Sequence, residues 1–102
     1  MIVSAMNSYF LGALVRATGT FTDANLVAVD PTIVRFKYRK PGSATTVTLV
    51  YITDASLVRT GAGVYYVDLD ADTAGNWSYR WEGTGTYQCA TENQFNVLGT
   101  LV

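Results

Sequence analysis

A chain of 102 residues with seven basic against eight acidic side chains, net charge −1, reads as one domain and lacks the basic excess that nucleic-acid binders use to displace counterions. It has no histidine and a single cysteine, which removes the commonest general base and metal ligand together with any intrachain disulfide. Apolar residues make up 49% of the chain and charged residues only 15%, a balance that leaves few solvating groups outside and favours a surface covered by neighbours.

Residues 1–12, MIVSAMNSYFLG, are largely apolar. No Lys or Arg precedes Arg16, so the run does not read as an export signal, and it is shorter than the roughly 20 apolar residues of a membrane span. It reads as an arm that ends by joining the first strand. Residues 99–102 read as an apolar tail. Ordering such segments costs conformational entropy, which must be offset by burying apolar side chains on the same domain or a neighbouring subunit. The candidate partner contacts are therefore Ile2, Val3, Met6, Tyr9, Phe10 and Leu11 on the arm, with Leu101 and Val102 on the tail.

The region between, residues 13–98, carries the period-two alternation of strands. In Ala13 to Thr22, Val15, Ala17, Gly19 and Phe21 share one face. Asp23-Ala24-Asn25 is turn chemistry, and Asp30-Pro31 is a second stop. Thr32 to Arg39 alternates most regularly, with Val34, Phe36 and Tyr38 inward and Arg35, Lys37 and Arg39 outward. Pro41-Gly42 suits the centre of a type II turn. A strand over Thr45 to Ile52 follows, then a break at residues 53–56 and a short edge strand, Leu57 to Thr60. Between Gly63 and Glu82, two strands flank a corner at residues 72–75. The first sets Tyr65, Val67 and Leu69 against Tyr66, Asp68 and Asp70; the second sets Trp77, Tyr79 and Trp81 against Ser78, Arg80 and Glu82. A last strand spans Tyr87 to Leu98, with Cys89, Thr91, Asn93, Phe95 and Val97 on one face. No stretch has a helical period. About seven strands with turn signals every 8–12 residues predict an all-β, immunoglobulin-like antiparallel sandwich.

Few residues suggest chemistry. Asp68, Asp70 and Asp72 are spaced by two, which places the first two carboxylates on one strand face, and calcium takes oxygen ligands. The same residues also suit a charged outer face leading into a turn. The aromatic row Trp77, Tyr79 and Trp81 belongs in a core, leaving Tyr66 and Tyr87 as candidates for a sugar-stacking surface. Arg35, Lys37 and Arg39 form a stripe that either meets an acidic partner or is the solvated side of a strand. Cys89 falls on the inward row and reads as a small buried apolar residue, with no base to make it a nucleophile.

Two segments carry a resemblance. One is TGTFTDANLVAVDPTIVRFKYRKPG, in which FTD, then VDP, then a basic strand ending in PG follow one another. The other is GAGVYYVDLDADTAGNWSYRWEGTGTYQCATENQFNV, with the pattern G-x-Y-x-V-x-L, then A-G-x-W-x-Y-R-W-E-G-T-G, then E-x-x-F-x-V. Across most of Thr18 to Val97 the chain resembles the small Ig-like structural proteins of tailed bacteriophages found among head and head–tail genes. The resemblance implies a non-enzymatic virion protein without cofactors, made in the host cytoplasm. It would bind capsid, neck or tail shell in many copies and use neither nucleic acid nor membrane. The alternative is a host-surface or glycan-binding Ig-like module.

Overall fold

The computed structural model describes residues 7–102, and these form two β-sheets with no helix. In chain order the strands are β1 (Asn7–Phe10), β2 (Leu14–Thr20), β3 (Ile33–Arg39), β4 (Val47–Val50), β5 (Leu57–Gly61), β6 (Val64–Asp70), β7 (Gly75–Thr84) and β8 (Cys89–Leu98). One sheet has the order β1-β8-β7-β3-β4, the other β2-β6-β5. Without β1, these are the antiparallel sheet orders of an immunoglobulin-like sandwich, so the predicted fold class holds.

The core lies between the sheets and follows the alternation. β2 contributes Val15, Ala17 and Gly19; β6 contributes Tyr65, Val67 and Leu69. The larger sheet contributes Val34 and Phe36 from β3, Trp77 and Trp81 from β7, and Phe95 and Val97 from β8. Both tryptophans are 1% exposed. The Trp81 ring lies 4.7 Å from that of Phe36, and Trp77 stacks on Phe95 at 5.4 Å. A Cβ on Gly19 would fall 2.6 Å from the Trp81 indole, so β2 has a glycine where the tryptophan crosses it. Tyr79, expected in the core with the tryptophans, is only half-buried.

The inward row of β8 is also only partly covered. Phe95 and Val97 are buried, Cys89 is half-buried, and Thr91 and Asn93 are exposed. A sheet of three strands faces a sheet of five, so the smaller one cannot shield every inward position of the larger.

The turns follow local chemistry. Ser43 N donates to Lys40 O at 3.1 Å and Gly42 has φ 72°, which is the type II turn expected at Pro41-Gly42. Asp23 Oδ1 accepts from Asn25 N (2.8 Å) and Val27 N (3.1 Å), but the left-handed residue of that turn is Leu26 at φ 63°. The strand predicted to run to Ile52 stops at Val50. There Asp54 Oδ2 accepts from Val50 N at 2.8 Å and Asp54 N donates to Val50 O at 2.8 Å, turning the chain toward the second sheet. Ile52 is consequently exposed and left-handed, φ 79°, a costly state for a β-branched residue.

The main departure from expectation is at the start. The arm expected over residues 1–12, ending by joining the first strand, is itself a strand at Asn7–Phe10: these residues form β1, parallel to β8, with Asn7 opposite Phe95 and Phe10 opposite Leu98. The described residues thus hold eight strands with one parallel pair, rather than about seven antiparallel ones. A bend at Leu11-Gly12 then swaps the chain to the other sheet. It is held by Leu11 N to Leu98 O (3.0 Å), Gly12 N to Ala71 O (2.9 Å) and Ala71 N to Ala13 O (2.9 Å).

Candidate interaction surface

The bend that joins β1 to β2 leaves apolar side chains outside. Phe10 is 69% exposed, Leu14 69%, Leu11 40% and Leu98 41%. Phe10, Leu11 and Leu98 belong to one corner, because Phe10 is registered against Leu98 and Leu11 N bonds Leu98 O at 3.0 Å; Leu14 lies on the outward row of β2, opposite Asp70 in the other sheet. The tail leaves from the same corner with Leu101 and Val102 fully exposed. Single exposed apolar residues are ordinary, but a cluster at one corner marks an interaction site.

Of the predicted partner contacts, Phe10, Leu11, Leu101 and Val102 are therefore exposed and brought to this corner. Tyr9 is not available: its ring meets Phe95 edge-on at 5.7 Å and 89°, inside its own domain. Ile2, Val3 and Met6 lie outside the described residues. Leu14 and Leu98 were missed, because alternation alone assigned them to a strand without saying that nothing would cover them.

The calcium candidates do not converge. Asp68 receives Arg16 Nε at 2.8 Å and Nη2 at 3.0 Å, Asp72 receives Lys40 Nζ at 2.8 Å, and Asp70 is exposed. Arg16 holds the Asp68 carboxyl below its ordinary range, and Lys40, helped by Thr73, does the same for Asp72. Among the described residues no group of three or more His, Cys, Asp or Glu side chains comes together as a metal requires. Two of the three carboxylates are instead paired with cations, Asp68 with Arg16 on β2 and Asp72 with Lys40 after β3, pairings that only the folded chain reveals. Arg16 also lies 3.8 Å over the Tyr66 ring and so occupies one face of that candidate stacking surface. Tyr87 packs against the core.

The basic stripe lies on the outer face of the large sheet. Lys37 Nζ is 3.2 Å from Glu82, Arg80 Nε is 2.6 Å from Glu82, and Arg80 Nη1 is 3.5 Å from Glu92. Arg80, then Lys37, holds the Glu82 carboxyl below its ordinary range. A shallow groove of about 220 Å³ runs past Lys37, Arg39, Ser78 and Arg80.

Asp30, expected only as a stop before Pro31, is the centre of a network. Its Oδ1 accepts from Gly63 N (2.9 Å), Tyr65 Oη (2.8 Å) and Arg59 Nε (3.1 Å), and its Oδ2 accepts from Arg59 Nη2 (2.8 Å). The Arg59 guanidinium, with the Gly63 N–H and the Tyr65 hydroxyl, holds the Asp30 carboxyl well below the usual carboxylate range. Burial, with the bond to Asp30, pushes the Tyr65 hydroxyl up to about 12. The arrangement ties the β2–β3 connection to the β5–β6 hairpin. Its carboxylate is engaged by the Arg59 guanidinium, the Gly63 N–H and the Tyr65 hydroxyl, so it serves as the knot of this tie.

Comparison with protein families, curated proteins and solved structures returned no match for this chain.

Proposed function

We propose that this chain is a non-enzymatic structural protein of a bacteriophage virion. It would act in many copies to cement or decorate the capsid, or form part of the neck or head–tail region, through subunit contacts. The observation that carries the reading is the exposed apolar corner of Phe10, Leu11 and Leu98 with the tail beside it, which a solitary sandwich has no reason to keep exposed. The resemblance across Thr18 to Val97 supplies the setting. The acidic groups support a structural role in the same direction, because Asp30, Asp68, Asp72 and Glu82 are each engaged by cations.

The test is incorporation. Particles are produced with the wild-type chain or with the Phe10→Asp/Leu11→Asp variant, and purified by density. The wild-type chain is expected to band with particles in many copies, and the variant to be depleted at least ten-fold while its isolated melting temperature stays within a few degrees. Exposed substitutions of this kind usually change stability by less than about 0.5 kcal/mol. A chain found only in the particle-free fraction, or a variant that incorporates normally, would overturn the reading. A specific glycan-array signal from the isolated domain would replace it with the adhesion alternative.

A further inference from the structure

The outer face of the larger sheet carries a charge pattern that its own ion pairs do not balance. Arg35, Lys37 and Arg39 stand on the outward row of β3, and Arg80 on that of β7. In register, Lys37 lies directly opposite Arg80, and Arg39 lies opposite Ser78, two positions before Arg80 on the same row. Like charges directly opposite on neighbouring strands repel. Glu82 is shared between the two, 3.2 Å from Lys37 and 2.6 Å from Arg80, and Glu92 adds a contact 3.5 Å from Arg80. Arg35 and Arg39 form no ion pair among the described residues. Four cations thus meet two carboxylates on this face, and the excess falls where the groove of about 220 Å³ crosses Lys37, Arg39 and Arg80.

We infer that this groove docks an acidic, extended segment of a partner protein, its carboxylates meeting Arg39 and the Lys37–Arg80 pair. The inference goes beyond the proposed function and does not depend on it. Charge and size select the occupant. A carboxylate laid between Lys37 and Arg80 relieves a repulsion that one shared Glu82 only partly offsets, and the exposed Arg39 is open to a bidentate contact. The hydroxyls of Thr46 and Ser78 on the groove wall offer further donors. Outward residues two apart on a strand are about 7 Å apart, so Lys37 and Arg39 match acidic side chains at alternate positions of an extended segment. The groove holds about seven waters' worth of space, enough for the side chains of a short segment. The face is +2 and the whole chain −1, so the remaining surface is −3, which opposes a long polyanion such as nucleic acid.

The test uses the purified chain and a fluorescein-labelled Glu-Ser-Glu-Ser-Glu peptide, followed by fluorescence anisotropy at low salt. Saturable binding is expected, weakened about five-fold or more by Arg39→Gln and less than about two-fold by Arg16→Gln, which removes the same charge from the smaller sheet. Glu92→Gln should bind more tightly than wild type, because it removes a carboxylate that competes for Arg80. A gain of this kind cannot come from misfolding. Absence of saturable binding would overturn the inference. So would equal losses in Arg39→Gln and Arg16→Gln, or a Glu92→Gln protein that binds no more tightly. An oligothymidylate or a heparin oligosaccharide that displaces the peptide at lower concentration than unlabelled peptide would overturn it in favour of a phosphate or sulfate ligand. Incorporation into particles is read separately, through Phe10 and Leu11, so either reading can fail without the other.

Discussion

A methyl group at Gly19 would meet the Trp81 indole at 2.6 Å with both residues buried, so neither can move aside cheaply. Gly19→Ala is expected to destabilise by about 1–3 kcal/mol through overpacking. Trp81→Ala, which empties the same space, should cost about 3–5 kcal/mol. Because the two share one contact, Gly19→Ala should cost less in a Trp81→Phe background, a non-additivity that denaturant melts of the four proteins would reveal. Tyr65 gives a second test. Removing its hydroxyl in Tyr65→Phe takes one donor from Asp30 and should cost about 1.5 kcal/mol, near the lower end for bonds to charged groups because Asp30 is partly in water. The folded hydroxyl titrates near 12, above the free value of about 10. Its contribution is thus complete below about pH 10 and lost as pH rises toward 12. The stability gap between wild type and Tyr65→Phe should therefore narrow in that window. Asp30 has the opposite sign: its carboxyl is depressed, so its contribution holds above about pH 4 and fades as pH falls further. A gap that does not change up to pH 12 would show that the phenol is not held by Asp30.

At the scale of elements, β1 and the ends of β8 differ most from simple alternation. β1 adds a parallel strand to an edge that would otherwise present unpaired backbone, and Tyr9 covers Phe95 from outside. Deleting residues 1–11 therefore should not leave an intact sandwich, as a free arm would allow. The truncated domain is expected to melt several degrees lower and to aggregate through the bared β8 edge, read by calorimetry and light scattering. Tyr9→Ala alone should cost roughly 1–2 kcal/mol, from lost area and one aromatic pair. An unchanged melt after truncation would mean that β1 contributes nothing to the fold.

For the whole molecule, charges are spread in exposed pairs that solvent and salt screen, and the stabilising weight rests on the aromatic core. Asp68, Asp70 and Asp72 are divided between Arg16, solvent and Lys40, so millimolar calcium and EDTA should give the same melting temperature. A rise with calcium would show that the carboxylates can be regrouped around a cation. The surface that remains includes the apolar corner of Phe10, Leu11 and Leu98. Function is expected to follow it: substitutions there should alter assembly and leave melting nearly unchanged, whereas Gly19 or Trp81 variants should do the reverse.

How much of this was legible beforehand depends on the range of the forces involved. The alternation in Tyr65-Val67-Leu69 and Val34-Phe36 identified strands and their inward faces because side-chain direction is set by the local backbone. The turn at Pro41-Gly42 was legible for the same reason, since ring closure and a missing Cβ act on adjacent dihedrals. Asp30, Gly19 and the acidic triad were not. Their roles come from partners 29 to 62 positions away: Arg59 for Asp30, Trp81 for Gly19, Arg16 for Asp68. Nor did alternation reveal that Asn7–Phe10 would run parallel to β8, or that three strands would leave Thr91 and Asn93 uncovered. The sequence by itself determined the all-β class, the strand faces and most turns, because these follow from period and local sterics. Only the tertiary structure decided which charges pair, where a glycine must yield to a tryptophan, and which apolar residues are left outside, because each of these depends on two sheets meeting in three dimensions.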